Sequence, residues 1–239
     1  MVSENTTRWI ALLAYPELTL LDLVGPLQIL RGLGAPFRTA VVGENLKPIL
    51  TDTSVCITPQ MTFADIQRPD VIIIPGGPGS VAAMANHALQ TYLKATAESA
   101  TVVASVCTGA LPLAATGLLE GRRVSVHWAY ARELELLGAR YERARFTEDG
   151  KFITSAGVSA GIDMALHLAA KLAGQEISQR IQLGLEYDPQ PPFGGIDWTQ
   201  VGEKELTRQR RGGTGARLTQ AQELLAERPD LLQRLRLGR

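Results

Sequence analysis

Cys107 stands at the centre of the stretch VVASVCTGALPLAATG, residues 102–117. Apolar, mostly β-branched residues precede it, and small helix-favouring residues follow it. A cysteine at that junction sits where a buried strand ends and a helix begins, so its side chain projects from the sheet. The G-x-S-x-G nucleophile elbow uses the same turn. In Ser105-Val-Cys-Thr-Gly109 the downstream glycine matches that pattern. A helix N-terminus beside the sulfur favours the thiolate, which is the reactive form. Pro112 falls within roughly the first turn of the expected helix, where a missing N–H costs least. The competing reading of Cys107 is a small core hydrophobe, a common state for a free cysteine. Cys56 is the contrast: inside the alternating run TSVCITP, with no turn after it, it reads as a core thiol.

Thiolate chemistry needs a place for developing negative charge and a group that moves protons. Pro75-Gly-Gly77 answers the first need. Without side chains, the amides of Gly76 and Gly77 can approach a ligand closely, and the N–H of Thr108 is a further donor. The plainer reading of this run is a strand-ending turn. Asp22, in LLDLVGPLQIL, answers the second need. Flanked by leucines, it is expected to be partly desolvated, and burial raises a carboxyl pKa. Its plainer reading is a helix N-cap. His127, before Trp128, is a candidate for lining the pocket or for a structural role at a strand end. His87, His127 and His167 are each isolated in sequence, so no metal site is expected.

The elements that must position these residues alternate in period. WIALLAY (9–15), FRTAVVG (37–43), SVCITP (54–59), VIII (71–74), VVASV (102–106) and RVSVH (123–127) read as strands. The unbroken run VIII has the pattern of a strand buried on both faces. Residues 22–33, 80–99, 108–119, 128–138, 158–174 and 175–187 read as helices, with Ser159 a cap and Gly174 a stop. RYERARF and KFITSAG predict a strand pair joined at EDG, and DPQPPFGG (188–195) predicts a loop. Alternating strands and helices imply an α/β fold with a mostly parallel sheet sandwiched by helices. Sites in such sheets lie at the carboxyl ends of the strands, where PGGPGS and CTGA both fall. Residues 1–197 form the expected α/β domain. Residues 198–239 form an expected helical extension packed on it, with RRGGTGAR as a turn.

Composition narrows the class. The 239 residues are 45% hydrophobic and 20% charged, as in an ordinary globular protein. Lys plus Arg and Asp plus Glu both number 24, so the chain as a whole attracts neither nucleic acid nor a membrane surface. The tail from Glu203 onward carries nine basic against five acidic residues, which reads as amphipathic surface helices rather than a nucleic-acid arm. No apolar run of about 18 residues predicts a membrane span. The apolar stretch after Arg8 is broken by Pro16, Glu17 and Asp22 and reads as a first strand, not a signal peptide. Two cysteines are too few for a disulfide framework, so a reduced, cytoplasmic protein is expected.

Taken together, LDLVGP, VIIIPGGPG, SVCTGALPLAATGLLEGRRVSVHW, GVSAGIDMALHLAA and LEYDPQPPF resemble the PfpI superfamily over roughly residues 8–197. Its fold is flavodoxin-like and related to class I glutamine amidotransferase domains. The order of these motifs is most similar to the branch that hydrates isocyanides. That resemblance implies a homodimer that needs no metal or organic cofactor and converts an isocyanide to an N-formamide through a thioimidate. It assigns Cys107 as nucleophile, Asp22 as general acid and base, Thr108 as the residue beside the nucleophile, and the Gly76–Gly77 amides as part of an anion pocket. PfpI-type proteases carry His directly after the cysteine, where this chain has Thr108. Glutaminase-type domains carry a downstream His-x-Glu pair, whereas His167 is followed by Leu168 and Ala169. Two rivals share the motifs: a ligand-sensing domain related to AraC-type regulators, and a glyoxalase-like or redox thiol protein. The residues after 197 are too few for two helix-turn-helix units.

Overall fold

The structure is a computed structural model, and it describes residues 7–212 and 229–236. A seven-stranded sheet is built from β1 (Arg8–Leu13), β2 (Phe37–Gly43), β5 (Met61–Thr62), β6 (Val71–Ile74), β7 (Val102–Val106), β10 (Phe146–Asp149) and β11 (Phe152–Ser155). Its strand order is β10-β11-β7-β6-β1-β2-β5. Every pairing in it is parallel except β10 with β11, the hairpin expected around Glu148-Asp-Gly150. Its first strand starts only at Phe146, the last residue of RYERARF, whose Arg140 and Tyr141 form a separate short strand instead. β6 and β7 are buried at every residue, which explains the unbroken apolar run of β6 and the largely apolar β7, where Ser105 is the one polar residue. Two pairs stand outside the sheet: β3 (Ile49–Leu50) with β4 (Cys56–Ile57), and β8 (Arg123–Val124) with β9 (Arg140–Tyr141).

The helices form two groups around this sheet. α1 (Leu20–Arg31) packs with α6 (Ala160–Ala173), which in turn packs with α7 (Gln175–Gly184). α2 (Ser80–Ala85), α3 (His87–Ser99), α4 (Ala110–Ala115) and α5 (Ala131–Leu136) pack together. Setting aside the edge strands β5 and β10, the order is that of a flavodoxin-like sheet. Its connections reverse direction at β1 and β6, where such folds open a crevice beyond the strand ends. Among the described residues, no helix is long and apolar enough to cross a membrane.

Several boundaries differ from expectation, each for a local reason. Residues 80–99 form two helices because the Asn86 side chain accepts the Leu89 N–H at 2.8 Å and starts a new one. The helix expected over 108–119 is a 3₁₀ turn, Cys107–Gly109, followed by the short α4. The helix expected over 128–138 opens with another 3₁₀ turn, Trp128–Tyr130. The strand expected over 54–59 is only β4, which stands off the main sheet. Cys56 is therefore exposed, not a core thiol, and its register partner Leu50 is exposed too. Asp22 is not the cap of α1; that position is Thr19, and the carboxylate of Asp52 reaches across from the β3–β4 hairpin to accept the Leu20 N–H at 3.1 Å. Gly174 does stop α6, at φ +93°, and α7 begins directly after it. Of the tail, α8 (Glu203–Gly212) carries Leu206 against the core, and Leu231 on the helix Pro229–Arg236 is buried. Most of the expected turn at RRGGTGAR lies outside the described residues.

Gly109 is the tightest junction between the elbow and the sheet. A Cβ there would lie 2.2 Å from the Ile74 carbonyl oxygen and 2.7 Å from that of Pro75, both backbone atoms that cannot step aside. Gly109→Ala is expected to lower stability by about 3 kcal/mol or more in denaturant unfolding. Gly184→Ala, at the end of α7 with nothing within 4 Å of the new methyl, is expected to be neutral or stabilising by up to about 1 kcal/mol.

Candidate functional site

Four neighbouring parallel strands, β1, β6, β7 and β11, send their carboxyl-end loops to one place. After β1 come Tyr15, a turn through Pro16 and Glu17, and then α1 with Asp22 in its first turn. After β6 comes Pro75-Gly76-Gly77. After β7 comes Cys107, and after β11 the turn Ala156–Val158. Hydrogen bonds tie the loops to one another. The Thr19 N–H donates to the Gly76 carbonyl at 2.8 Å, and the Cys107 N–H donates to the Ala156 carbonyl at 3.0 Å.

Cys107 is in the left-handed region, at φ +57°. A non-glycine residue pays about 1–2 kcal/mol for that conformation. Here the hydrogen-bonded strand on one side and the packed Gly109 on the other enforce it. The elbow expected from the sequence is thus present, but its side chain is not held out in solvent: Cys107 is 5% exposed. Burial pushes the thiol pKa well up, and the negative charge of Asp22 adds to this. The N–H groups of Val158 and Thr108 and the Thr108 hydroxyl act in the opposite direction but do not prevail. The expected depression of the thiol pKa by a helix N-terminus is therefore overturned. The helix is only a 3₁₀ turn and one short α-segment, and desolvation outweighs it.

Asp22 is fully buried. Its Oδ2 accepts the Gly76 N–H at 2.9 Å. Its Oδ1 makes no hydrogen bond of regular geometry. The Cys107 thiol is the side-chain neighbour that acts on the carboxyl as a hydrogen-bond donor. Burial raises the Asp22 pKa from an ordinary 3.8 to about 7; the Gly76 N–H and the thiol oppose this, and Asp52 adds to it. The proton of this pair is therefore exchangeable near neutral pH. The expected burial of Asp22 is met in full.

The two glycine amides are not arranged as expected. The Gly76 N–H belongs to Asp22, and the Gly77 N–H donates to Thr108 Oγ1 at 2.8 Å. Neither hydrogen is free for an anion, so Gly76 and Gly77 hold the acid and the elbow together instead. A Cβ on Gly76 would lie 2.5 Å from the Thr108 nitrogen and 2.8 Å from Asp22 Oδ2, which is why this position has no side chain. Thr108, also buried, accepts from Gly77 and faces its carbonyl at 3.2 Å. His127 caps the 3₁₀ turn, its Nδ1 accepting the Ala129 N–H at 3.3 Å. Burial lowers its pKa, so the ring is neutral at pH 7. The ring lies against Gly157, one residue from the Val158 amide that meets Cys107. His127 thus backs the site through the backbone. His167 is elsewhere, paired with Glu148 at 2.8 Å.

Three contributors were not singled out from the sequence. Tyr15 is buried, donates its hydroxyl to the Pro75 carbonyl at 2.5 Å, and feels the charges of Asp22 and Cys107. Its position at the carboxyl end of the first strand was the available signal. Asp52 acts from a hairpin that no periodicity connects to α1. Val158 acts through its backbone, which leaves no mark on residue type. An open groove of about 1000 Å³ lined by Phe63, His87 and Tyr92 contains none of these residues.

A flavodoxin-like parallel sheet with a strained cysteine elbow, facing a buried carboxyl from its first helix, defines the class. The chain belongs to the DJ-1/PfpI family, whose sequence pattern matches residues 8–171. It is 41% identical to an isonitrile hydratase of Pseudomonas putida, over 77% of this chain and 80% of that one. It is also similar to a solved THiJ/PfpI family protein of Pseudomonas syringae. That likeness has 32% identity and a TM-score of 0.79, and covers 95% of this chain and 90% of the other. The HTH-type transcriptional regulator GbdR of Pseudomonas aeruginosa is 29% identical over 72% of this chain and 47% of the regulator.

The raised pKa of Asp22 has a stability consequence with a definite sign. The folded carboxyl holds its proton up to about pH 7 and the unfolded one only to about 3.8, so the folded state binds more protons in between. Stability is lost as pH rises across that window, and the loss is full above pH 7, on the order of 4 kcal/mol at about 1.4 kcal/mol per pH unit. Asp22→Asn lacks this cost. Its melting temperature is expected to match or exceed the wild type's at pH 8 and to lose that advantage at pH 4. An advantage equal at both pH values would show that the carboxyl does not titrate in this range.

Proposed function

We propose that this protein hydrates an isocyanide to the corresponding N-formamide without a metal or organic cofactor, using Cys107 as nucleophile and Asp22 as general acid and base. One observation carries the reading: the fully buried Asp22 carboxyl, its pKa pushed up by burial to about 7, lies beside a buried thiol on a strained elbow. The 41% identity to an isonitrile hydratase supplies the substrate class, since isonitrile and isocyanide are one functional group.

The terminal carbon of R–N≡C is electrophilic and carries a lone pair. Ionised Asp22 takes the Cys107 proton, and the sulfur attacks that carbon. Protonated Asp22 then delivers the proton to the same carbon, which leaves the thioimidate R–N=CH–S–Cys107. Asp22, again ionised, takes one proton from water as the water oxygen adds to the carbon, and passes that proton to the nitrogen. The remaining hydroxyl proton then moves through Asp22 to the sulfur as the C–S bond breaks, so the thiol is restored and R–NH–CHO leaves. The net change is addition of one water. A single carboxyl cycles through both states, which requires a pKa near the working pH. A high thiol pKa fits this scheme, because the proton leaves the sulfur for a neighbour and not for solvent. Thr108 and the Val158 amide stabilise the sulfur as it gains charge.

The same reading makes the protein a reduced, cytoplasmic homodimer, with the helices Glu203–Gly212 and Pro229–Arg236 as an extension packed on the α/β domain. Leu21 and Val24 on α1, with Leu50 and Val55 near the β3–β4 hairpin, are exposed apolar residues suited to a second copy. Similarity to GbdR favours a second reading, a ligand-sensing domain without catalysis.

Purified protein is expected to convert an aryl isocyanide to its formamide, followed by loss of isocyanide absorbance and by mass spectrometry. Cys107→Ala is expected to lower turnover at least about a thousandfold, as loss of a covalent nucleophile does. Wild type that forms no formamide from aryl or alkyl isocyanides, yet binds them equally well with and without the thiol, would favour the sensor.

A further inference from the structure

The bonds made by Tyr15 and Asp22 meet on one chemical group. The carbonyl that accepts the Tyr15 hydroxyl is that of Pro75, and the N–H that donates to Asp22 is that of Gly76. These are the two ends of a single planar peptide unit, so neither can turn without the other. The neighbouring atoms of the loop are held as well: the Gly76 carbonyl by the Thr19 N–H, and the Gly77 N–H by Thr108. Gly76 has no side chain to restrict it, so the peptide's orientation depends on these partners. Tyr15, just after β1, and Asp22, in the first turn of α1, grip the peptide from opposite ends.

We infer that Tyr15 is a positioning residue for Asp22: its hydroxyl fixes and polarises the Pro75–Gly76 peptide whose N–H holds the catalytic carboxylate. A hydrogen bond donated to a peptide carbonyl strengthens the N–H of that peptide as a donor. A stronger Gly76 donor favours the ionised carboxyl over the protonated one. Burial pushes the Tyr15 phenol pKa well above its ordinary value, and the charges of Asp22 and Cys107 push it in the same direction, so the residue stays a neutral donor. The groups that act electrostatically on Asp22 are Cys107 after β7 and Asp52 on the β3–β4 hairpin; Tyr15, after β1, feels its charge in turn. Removing the Tyr15 hydroxyl changes none of the other charges.

The inference rests on the hydration reading for its catalytic meaning, and its test can be read without it. In Tyr15→Phe, the rate of Cys107 alkylation by iodoacetamide is followed against pH with peptide-resolved mass spectrometry, which separates it from the exposed Cys56. The inflection that Asp22→Asn abolishes is expected to move up by about half a pH unit or more, roughly a threefold rise in proton affinity. With an isocyanide substrate, the acid limb of kcat moves with it while KM stays nearly constant. 3-Fluorotyrosine at position 15, a stronger donor of similar shape, is expected to move the inflection down, and this arm stands even where the Phe variant folds poorly. A merely structural Tyr15 would lower the melting temperature and leave the inflection in place, and that result overturns the inference. Wild type inactive on isocyanides with a shifted Phe profile would sink the hydration reading alone.

Discussion

The burial of one carboxyl beside one thiol governs the architecture around it. An isolated carboxylate out of water is costly, and the group neutralises itself unless donors compensate. Asp22 has one regular donor, the Gly76 amide, and a thiol as its other polar neighbour. That shortage leaves its proton exchangeable near neutral pH. Two or three amides on the same carboxyl would have driven its pKa down and left a permanent anion. The thiol shows the complementary state, its proton held by desolvation and by the adjacent acid. Protonation of the pair is thus shared, and the reactive thiolate arises by transfer within it.

Such a pair needs stiff supports, and the supports explain residues that look unrelated in sequence. Gly76 lacks a side chain because Thr108 and Asp22 occupy the space. Gly109 lacks one because the carbonyls of β6 and Pro75 do. Cys107 accepts a left-handed backbone because the strand before it and the turn after it leave no alternative. The start of α1, lacking a side-chain cap of its own, borrows the Asp52 carboxylate from a hairpin whose Leu50 carbonyl also accepts the Glu17 N–H at 2.8 Å. The site is a set of loops cross-braced at the one crevice the sheet topology provides.

Much of this was legible in the chain. The unbroken VIII and the largely apolar VVASV run marked the two central strands, because a parallel sheet covered on both faces favours apolar residues there; the small Ser105 is the buried polar exception. Cys107, Thr108 and the paired glycines were legible as site candidates because small residues at strand ends are required wherever backbones must approach, and Asp22 because a carboxyl between leucines at the opening of the first helix is expected to be desolvated. Cys56 was misread because alternation reports a half-buried strand and does not say which sheet, if any, covers it. The single helix expected over 80–99 was misread because the Asn86 cap looks like any surface asparagine until its side chain is seen turned back on Leu89.

The sequence by itself determined the fold class, the order of the elements and the residue types brought to the strand ends, since local period and composition encode burial and turn. Only the tertiary structure decided what those residues do to one another. It turned the glycine amides inward onto Asp22 and Thr108, buried the thiol, and enlisted Tyr15, Asp52 and the Val158 amide. Those outcomes depend on distances between atoms far apart in the chain, and acidity in a buried site follows distance and desolvation, neither of which a string of residues contains.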